Sequence, residues 1–190
     1  MILIRFLCLS LLIVGSAHAD NFSDTELWQQ LKRGEAVALM RHALAPGFGD
    51  PDHFVIDDCS SQRNLSAAGR TQAKQIGAAF RKRGMDQAPV YSSQWCRCLD
   101  TARLLELGPV MPLPALNSFF NQPGQGKTQT AEIRRWLQSE GADVTPLVLV
   151  THQVNITALT NIFPASGEMV ILRRNGAAAL SVSGTILIEP

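Results

Sequence analysis

Charge of one sign is the first thing this 190-residue chain lacks. Its 17 Lys and Arg are set against 16 Asp and Glu, a net charge of +1. That near-balance removes the electrostatic basis for a nucleic acid or an anionic membrane surface as partner, so any positive potential must be local. No apolar run reaches the roughly 20 residues needed to span a bilayer. Cysteine is scarce, four in all. The C-x-C of Cys96 and Cys98 with a distant Cys59 matches no zinc-ligand spacing. Internal repeats and low-complexity stretches are missing as well, and the length suits one domain.

What is present begins at the N-terminus. Met1 to Arg5 carries one positive charge, Phe6 to Val14 is apolar, and Ala17-His18-Ala19 has the small-x-small pattern of a cleavage site. Residues 1–19 are therefore expected to be a secretory signal peptide, with residues 20–190 as the mature domain. Cleavage would remove Arg5 and no acidic residue, turning the net charge of +1 into 0. The expected location is periplasmic or secreted, with no membrane anchor after cleavage. In an oxidising compartment two of Cys59, Cys96 and Cys98 can bridge and leave one over; three buried thiols are the alternative.

Ser23-Asp24-Thr25-Glu26 reads as a capping box opening a helix that Gly34 stops. The apolar run ending at Met40 reads as a strand buried on both faces, and it stops abruptly in Arg41-His42. Leu44 to Arg63 is expected to be a long loop, because Pro46, Gly47, Gly49 and Pro51 forbid a regular element. Ser66 caps a helix in which Ala73, Ile76, Gly77 and Phe80 share a face. A short strand over 89–92, a helix over 94–107, a loop over 110–126 and a helix marked by Ile133, Trp136 and Leu137 follow. Leu147 to Thr151 is a strand ending in His152, and 155–162 a short helix. Strands over 168–173 and 178–189, with Asn175-Gly176 as their turn signal, close the chain. Strands alternating with helices predict an α/β fold, a three-layer α/β/α sandwich with a mostly parallel central sheet. The carboxyl ends of such strands face the ligand crevice.

Four segments in order, LMRHA, NLSAAGRTQA, SSQWCRCLDTA and LVTH, together resemble the histidine phosphatase (phosphoglycerate-mutase-like) superfamily. The resemblance runs from about Ala36 to Ile162 and extends to the exported group that includes the lipopolysaccharide core heptose phosphatases. It implies that His42 is the nucleophile, forming a phosphohistidine that water hydrolyses. It also implies that Arg41, Arg97 and His152 bind the phosphate, with His152 held cationic by it. No cofactor and no metal is implied, and the partner is a small phosphorylated substrate. Because some relatives with this loop carry cysteine at the Cys96 position alone, the resemblance favours Cys59–Cys96 over Cys59–Cys98. The oligomeric state is left open.

Two departures from the family pattern stand out. Ala43 replaces the usual glycine after the nucleophile, which a negative φ would tolerate. The general acid is also missing. No carboxylate stands in Leu116-Asn117-Ser118-Phe119, where many relatives supply a glutamate, and Gln153 replaces the aspartate of the other branch. Asp50, nearest His42 in sequence, is the preferred substitute, ahead of Asp52, Asp57, Asp58 and Glu132; otherwise the leaving group needs little help. Without an acid the pocket could instead serve a phosphate-binding protein with little or no turnover. A metal held by Asp50, Asp52, His53, Asp57 and Asp58 is the third reading, with oxygen ligands suited to calcium or magnesium.

Overall fold

A computed structural model of the chain describes residues 22–142, 144–175 and 179–188. The expected signal peptide, residues 1–19, lies outside the described residues, as does Gly176 of the expected turn. Among the described residues no helix is long and apolar enough to cross a membrane.

Helix α1 (Asp24–Lys32) starts at Ser23, whose side chain accepts from the Glu26 N–H while the Glu26 carboxylate accepts from the Ser23 N–H, a reciprocal capping box. Strand β1 (Ala36–Arg41) follows. The long loop from Leu44 contains one 3₁₀ turn (Cys59–Ser61) and leads into α2 (Ala67–Lys82), capped by Ser66. Then come β2 (Val90–Ser92), α3 (Cys96–Leu104), β3 (Val110–Pro112), α4 (Gly126–Gln138), β4 (Val148–Thr151), α5 (Gln153–Thr160), β5 (Met169–Asn175) and β6 (Ala179–Ile186).

The six strands form one sheet in the order β3-β2-β4-β1-β5-β6. Pairs β3–β2, β2–β4 and β4–β1 are parallel, while β5 runs antiparallel to both β1 and β6. Alternate residues of β1 point to opposite layers. Ala36, Ala38 and Met40 meet α1, α2 and α3 through Leu27, Leu31, Ile76, Phe80 and Ala102. Val37 and Leu39 meet α4 and α5 through Ile133, Trp136, Leu137, Ile156 and Leu159. Both faces are thus covered, which is why the strand reads as an unbroken apolar run instead of an alternating one.

One element was not expected. The prolines of 110–126 predict a loop, yet Val110–Pro112 pairs with β2. An edge strand has one row of N–H groups without a ladder partner, so a proline can sit there without breaking the sheet.

Cys59 and Cys96 form a disulfide, Cα to Cα 5.7 Å, and Cys98 is a free, buried thiol. The bridge joins the 3₁₀ turn of the long loop to the first residue of α3 across a sequence separation of 37. A closed loop of that length restricts the unfolded chain by about 4 kcal/mol. Thermal melts with and without a thiol reductant should therefore differ by roughly 10 °C, the reduced protein being the less stable. Identical midpoints would show that the bridge contributes nothing.

Candidate active site

The site lies where three adjacent parallel strands end. His42 follows β1, Ser93 follows β2 and His152 follows β4, which lies between them. The ladder continues one step past the strands: His42 N–H donates to Thr151 O at 3.0 Å and Ser93 N–H to Val150 O at 2.9 Å. The sheet itself therefore sets the spacing of the two imidazoles, whose ring centroids are 5.6 Å apart. Arg97 enters from the first turn of α3. Arg41, His42, Asp50, Arg63, Trp95, Arg97 and His152 line the inner part of one cavity of about 430 Å³.

The orientation of the His42 ring follows from its hydrogen bonds. His42 Nδ1 is 2.8 Å from the Ala43 carbonyl, an acceptor only, so Nδ1 carries the proton and Nε2 presents its lone pair. Thr101 Oγ1 accepts from the Ala43 N–H and donates to Arg97 O, tying the loop after His42 to α3. Gln72 does the same from α2, accepting from Leu44 N–H and donating to Ser166 O. Gly69 explains the glycine of the NLSAAG segment. A Cβ there would lie 2.0 Å from Leu44 O, so only glycine lets α2 cross this closely. Ala43 is fully buried, and among the described residues positive φ outside glycine is confined to Glu106 and Asn161. The methyl group in place of glycine is thus accommodated.

Arg97 is the hub. Its Nε donates towards His42 Nε2 at 3.3 Å, and its Nη2 faces His152 Nδ1 at 3.5 Å. That edge of the guanidinium presents two parallel N–H groups between the imidazoles, an arrangement suited to two phosphate oxygens. The opposite end is gripped by Asp50, with Nη1 at 2.6 Å from Oδ1 and Nη2 at 3.0 Å from Oδ2. The pair is deeply buried, 3% and 8% exposed. Arg63 O takes the remaining Nη1 hydrogen at 3.4 Å. His152 is fixed through its other nitrogen, Nε2, 2.8 Å from Ser93 Oγ, whose hydroxyl lies 3.2 Å from Asn117 Oδ1. Because that oxygen can only accept, Ser93 donates to Asn117 and His152 Nε2–H donates to Ser93.

Burial first, and the Arg97 guanidinium next, hold the His42 imidazole well below the ordinary histidine range. Burial, Arg97 and then His42 do the same to His152. The imidazolium expected at His152 therefore needs an anion beside it; without one the ring is neutral. Burial also pushes the Cys98 thiol up to about 12, which leaves it protonated and unreactive 3.5 Å from His152 Nε2. Arg41 and Arg63 are lowered by burial and by Arg97. Arg41 Nη1 donates to Pro164 O at 2.9 Å, but its buried Nε has no partner. Three guanidinium groups crowding one cavity with an unspent N–H mark a place for an anion.

His42, Arg97 and His152 are thus in mutual contact, and Arg41 lines the same cavity. The two acid candidates fare differently. Glu132 is exposed on α4 and is not among the cavity-lining residues, so it has no access to a bound phosphate. Asp50 is in the cavity but is bound to Arg97 instead of standing free. Asn117, in the 116–119 stretch that holds no carboxylate, supports Ser93. Among the described residues no three His, Cys, Asp or Glu side chains are placed to hold a metal, so the loop's acids do not form the alternative metal site. Sequence reasoning gave no role to Arg63, Gln72, Thr101, Ser93, Trp95 or Asn117. Gln72 and Thr101 lie within the matched segments, where only their spacing from Gly69 and Arg97 hinted at a role.

A family model described as histidine phosphatase superfamily (branch 1) matches residues 37–146, and the chain belongs to that superfamily. Its enzyme class is accordingly that of a phosphatase. The fold is similar to the protein histidine phosphatase SixA in complex with tungstate, at 14% identity and a TM-score of 0.59, covering 80% of this chain and 96% of that one. It is also similar to a phosphoserine phosphatase from Entamoeba histolytica, at 12% identity and a TM-score of 0.56, covering 79% and 95%. A mycobacterial glucosyl-3-phosphoglycerate phosphatase shows 18% identity and a TM-score of 0.53, with 79% and 98% covered. No curated protein matches the chain.

The depressed histidines make stability depend on pH. In the unfolded chain they titrate near 6.5, so above that pH both states are neutral and the full stability is present. Below it the unfolded chain takes up protons that the fold refuses, and stability falls by up to about 1.4 kcal/mol per pH unit for each histidine. Melting temperature should drop between pH 7.5 and 5.5, and His42→Gln should shrink the drop. An undiminished drop in that variant would contradict the assignment.

Proposed function

We propose that this protein is an exported, metal-independent phosphatase that hydrolyses a small phosphate ester or anhydride through a phosphohistidine on His42. The observation that carries the reading is the contact of Arg97 with both imidazoles, with the His42 Nε2 lone pair turned to the same edge of the guanidinium. A phosphoryl group docked on that edge meets cations around its equatorial oxygens and a neutral nitrogen as nucleophile, as phosphoryl transfer requires. Arg41 and Arg63 add positive charge, and His152 takes a proton once the anion is beside it. His42 Nε2 forms the P–N bond as the P–O bond to the leaving group breaks. Water then displaces the imidazole and releases phosphate.

Export rests on the N-terminal pattern of residues 1–19 and is supported by the Cys59–Cys96 bridge, which belongs in an oxidising compartment. In that setting the substrate would be a phosphorylated component of the cell envelope. The sugar and amino-acid phosphatases of similar fold favour a small-molecule ester or anhydride.

Incubation with ³²P-labelled acetyl phosphate and denaturing gel analysis test the reading. An acid-labile label on the wild type, lost in His42→Ala, and turnover undiminished by excess chelator are expected. Phosphate binding with neither label nor turnover would instead make this a phosphate-binding protein.

A further inference from the structure

The chemistry so far leaves the leaving group's proton without a source. Among the described residues Asp50 is the only carboxylate lining the cavity. Its surroundings are all donors. Oδ1 accepts from Arg97 Nη1 at 2.6 Å and from Arg63 N–H at 3.2 Å; Oδ2 accepts from Arg97 Nη2 at 3.0 Å and from Trp95 Nε1 at 3.1 Å. A carboxylate has about four lone-pair sites, and here four N–H groups use them. A proton could be loaded only by ejecting one of these donors, two of which belong to the phosphate-binding arginine. The histidines offer no alternative. His42 is the nucleophile; the Nε2–H of His152 is spent on Ser93, and the proton that His152 takes beside a bound phosphoryl group sits on Nδ1 at the Arg97 edge, paired with the equatorial oxygens docked there.

We infer that Asp50 is a positioning residue that holds Arg97 for the phosphate, and that the leaving group departs without enzymic protonation, so the site takes substrates whose leaving group is a weak base. These are acyl phosphates, phosphoanhydrides and phenolic esters, in preference to phosphates of simple sugar or alkyl alcohols. The inference rests on the phosphohistidine reading above and narrows its substrate class. In the first step the His42 Nε2 lone pair makes the P–N bond, and the P–O electron pair leaves on the departing oxygen. An acyl or phenolate oxygen carries that charge into water, whereas an alkoxide must take a proton from water as it forms. In the second step water attacks phosphorus, the P–N electron pair returns to Nε2, and the water proton passes to phosphate or solvent.

The test is a series of acetyl phosphate, p-nitrophenyl phosphate, phenyl phosphate and ethyl phosphate, assayed with wild type and Asp50→Asn. A general acid is typically worth about 10²–10⁴-fold, and mostly for basic leaving groups. The wild-type kcat/KM should fall by more than about 10²-fold from p-nitrophenyl to ethyl phosphate, the assistance that is missing. Asp50→Asn should lower kcat/KM by a similar factor for every member, because Arg97 serves all of them alike, and Asp50→Glu should restore part of it. Near-equal wild-type values, or a loss in Asp50→Asn confined to ethyl and phenyl phosphate, would overturn the inference while leaving the phosphatase reading intact. The wild-type series decides even if the variant does not fold. Failure of every ester and of acetyl phosphate, with no label on His42, would overturn both.

Discussion

A buried guanidinium with all five hydrogens committed is the constraint on which the site depends. Arg97 donates to His42, to His152, twice to Asp50 and once to Arg63 O, from a position only 3% exposed. Burying a charge is costly unless it is paired and hydrogen-bonded, and Asp50 meets that condition from the loop side. The positive end that remains faces the two histidines and helps keep them uncharged. One side chain therefore contacts both imidazoles and presents them a common positive edge. The long loop after β1 carries the partner of that arginine. Arg63 ties the loop to itself through Gly49 O and Ala45 O, and Gln62 reaches Cys96 N–H at the start of α3.

The surroundings of the phosphate corner are of a different character. Phe54 stacks on Trp95, Trp95 meets His152 edge-on, and Phe48 meets Phe120 edge-on at the cavity mouth. Gln122, Gln125 and Gln153 also line the cavity and bring no charge. The concentration of cations at the inner end and of neutral groups further out divides the cavity by task. On the proposed reading phosphate would be held electrostatically at depth, and whatever it is attached to would meet apolar rings and amides.

Much of the fold was legible because the strong local signals agreed with the tertiary structure. The capping box at Ser23, the cap at Ser66, the double-sided apolar run before Arg41 and the apolar spacing of α2 and α4 each report burial directly, and each appears as read. Val110–Pro112 was missed because its pairing is supplied by β2, eighteen or more residues upstream, and not by its own composition. In the site, the segments carrying His42, Arg97 and His152 stood out as polar ends of apolar strands or as spaced motifs. The Asp50–Arg97 pairing was not legible. It is a contact across 47 residues of sequence, and an aspartate in a glycine-rich loop looks the same whether it faces solvent or an arginine. Asn117 was invisible for a related reason: its role is to hold Ser93 and the Gln94 N–H, and nothing in its neighbourhood states that.

The disulfide has a topological consequence. Between Cys59 and Cys96 lie all of α2 and all of β2, so the bond closes that stretch into a covalent ring whose seam is next to Arg97. A single cut of the backbone anywhere within the ring opens it without separating the molecule into two pieces. The nicked protein would remain one covalent body, with the loop and the arginine's helix still fastened together at the seam.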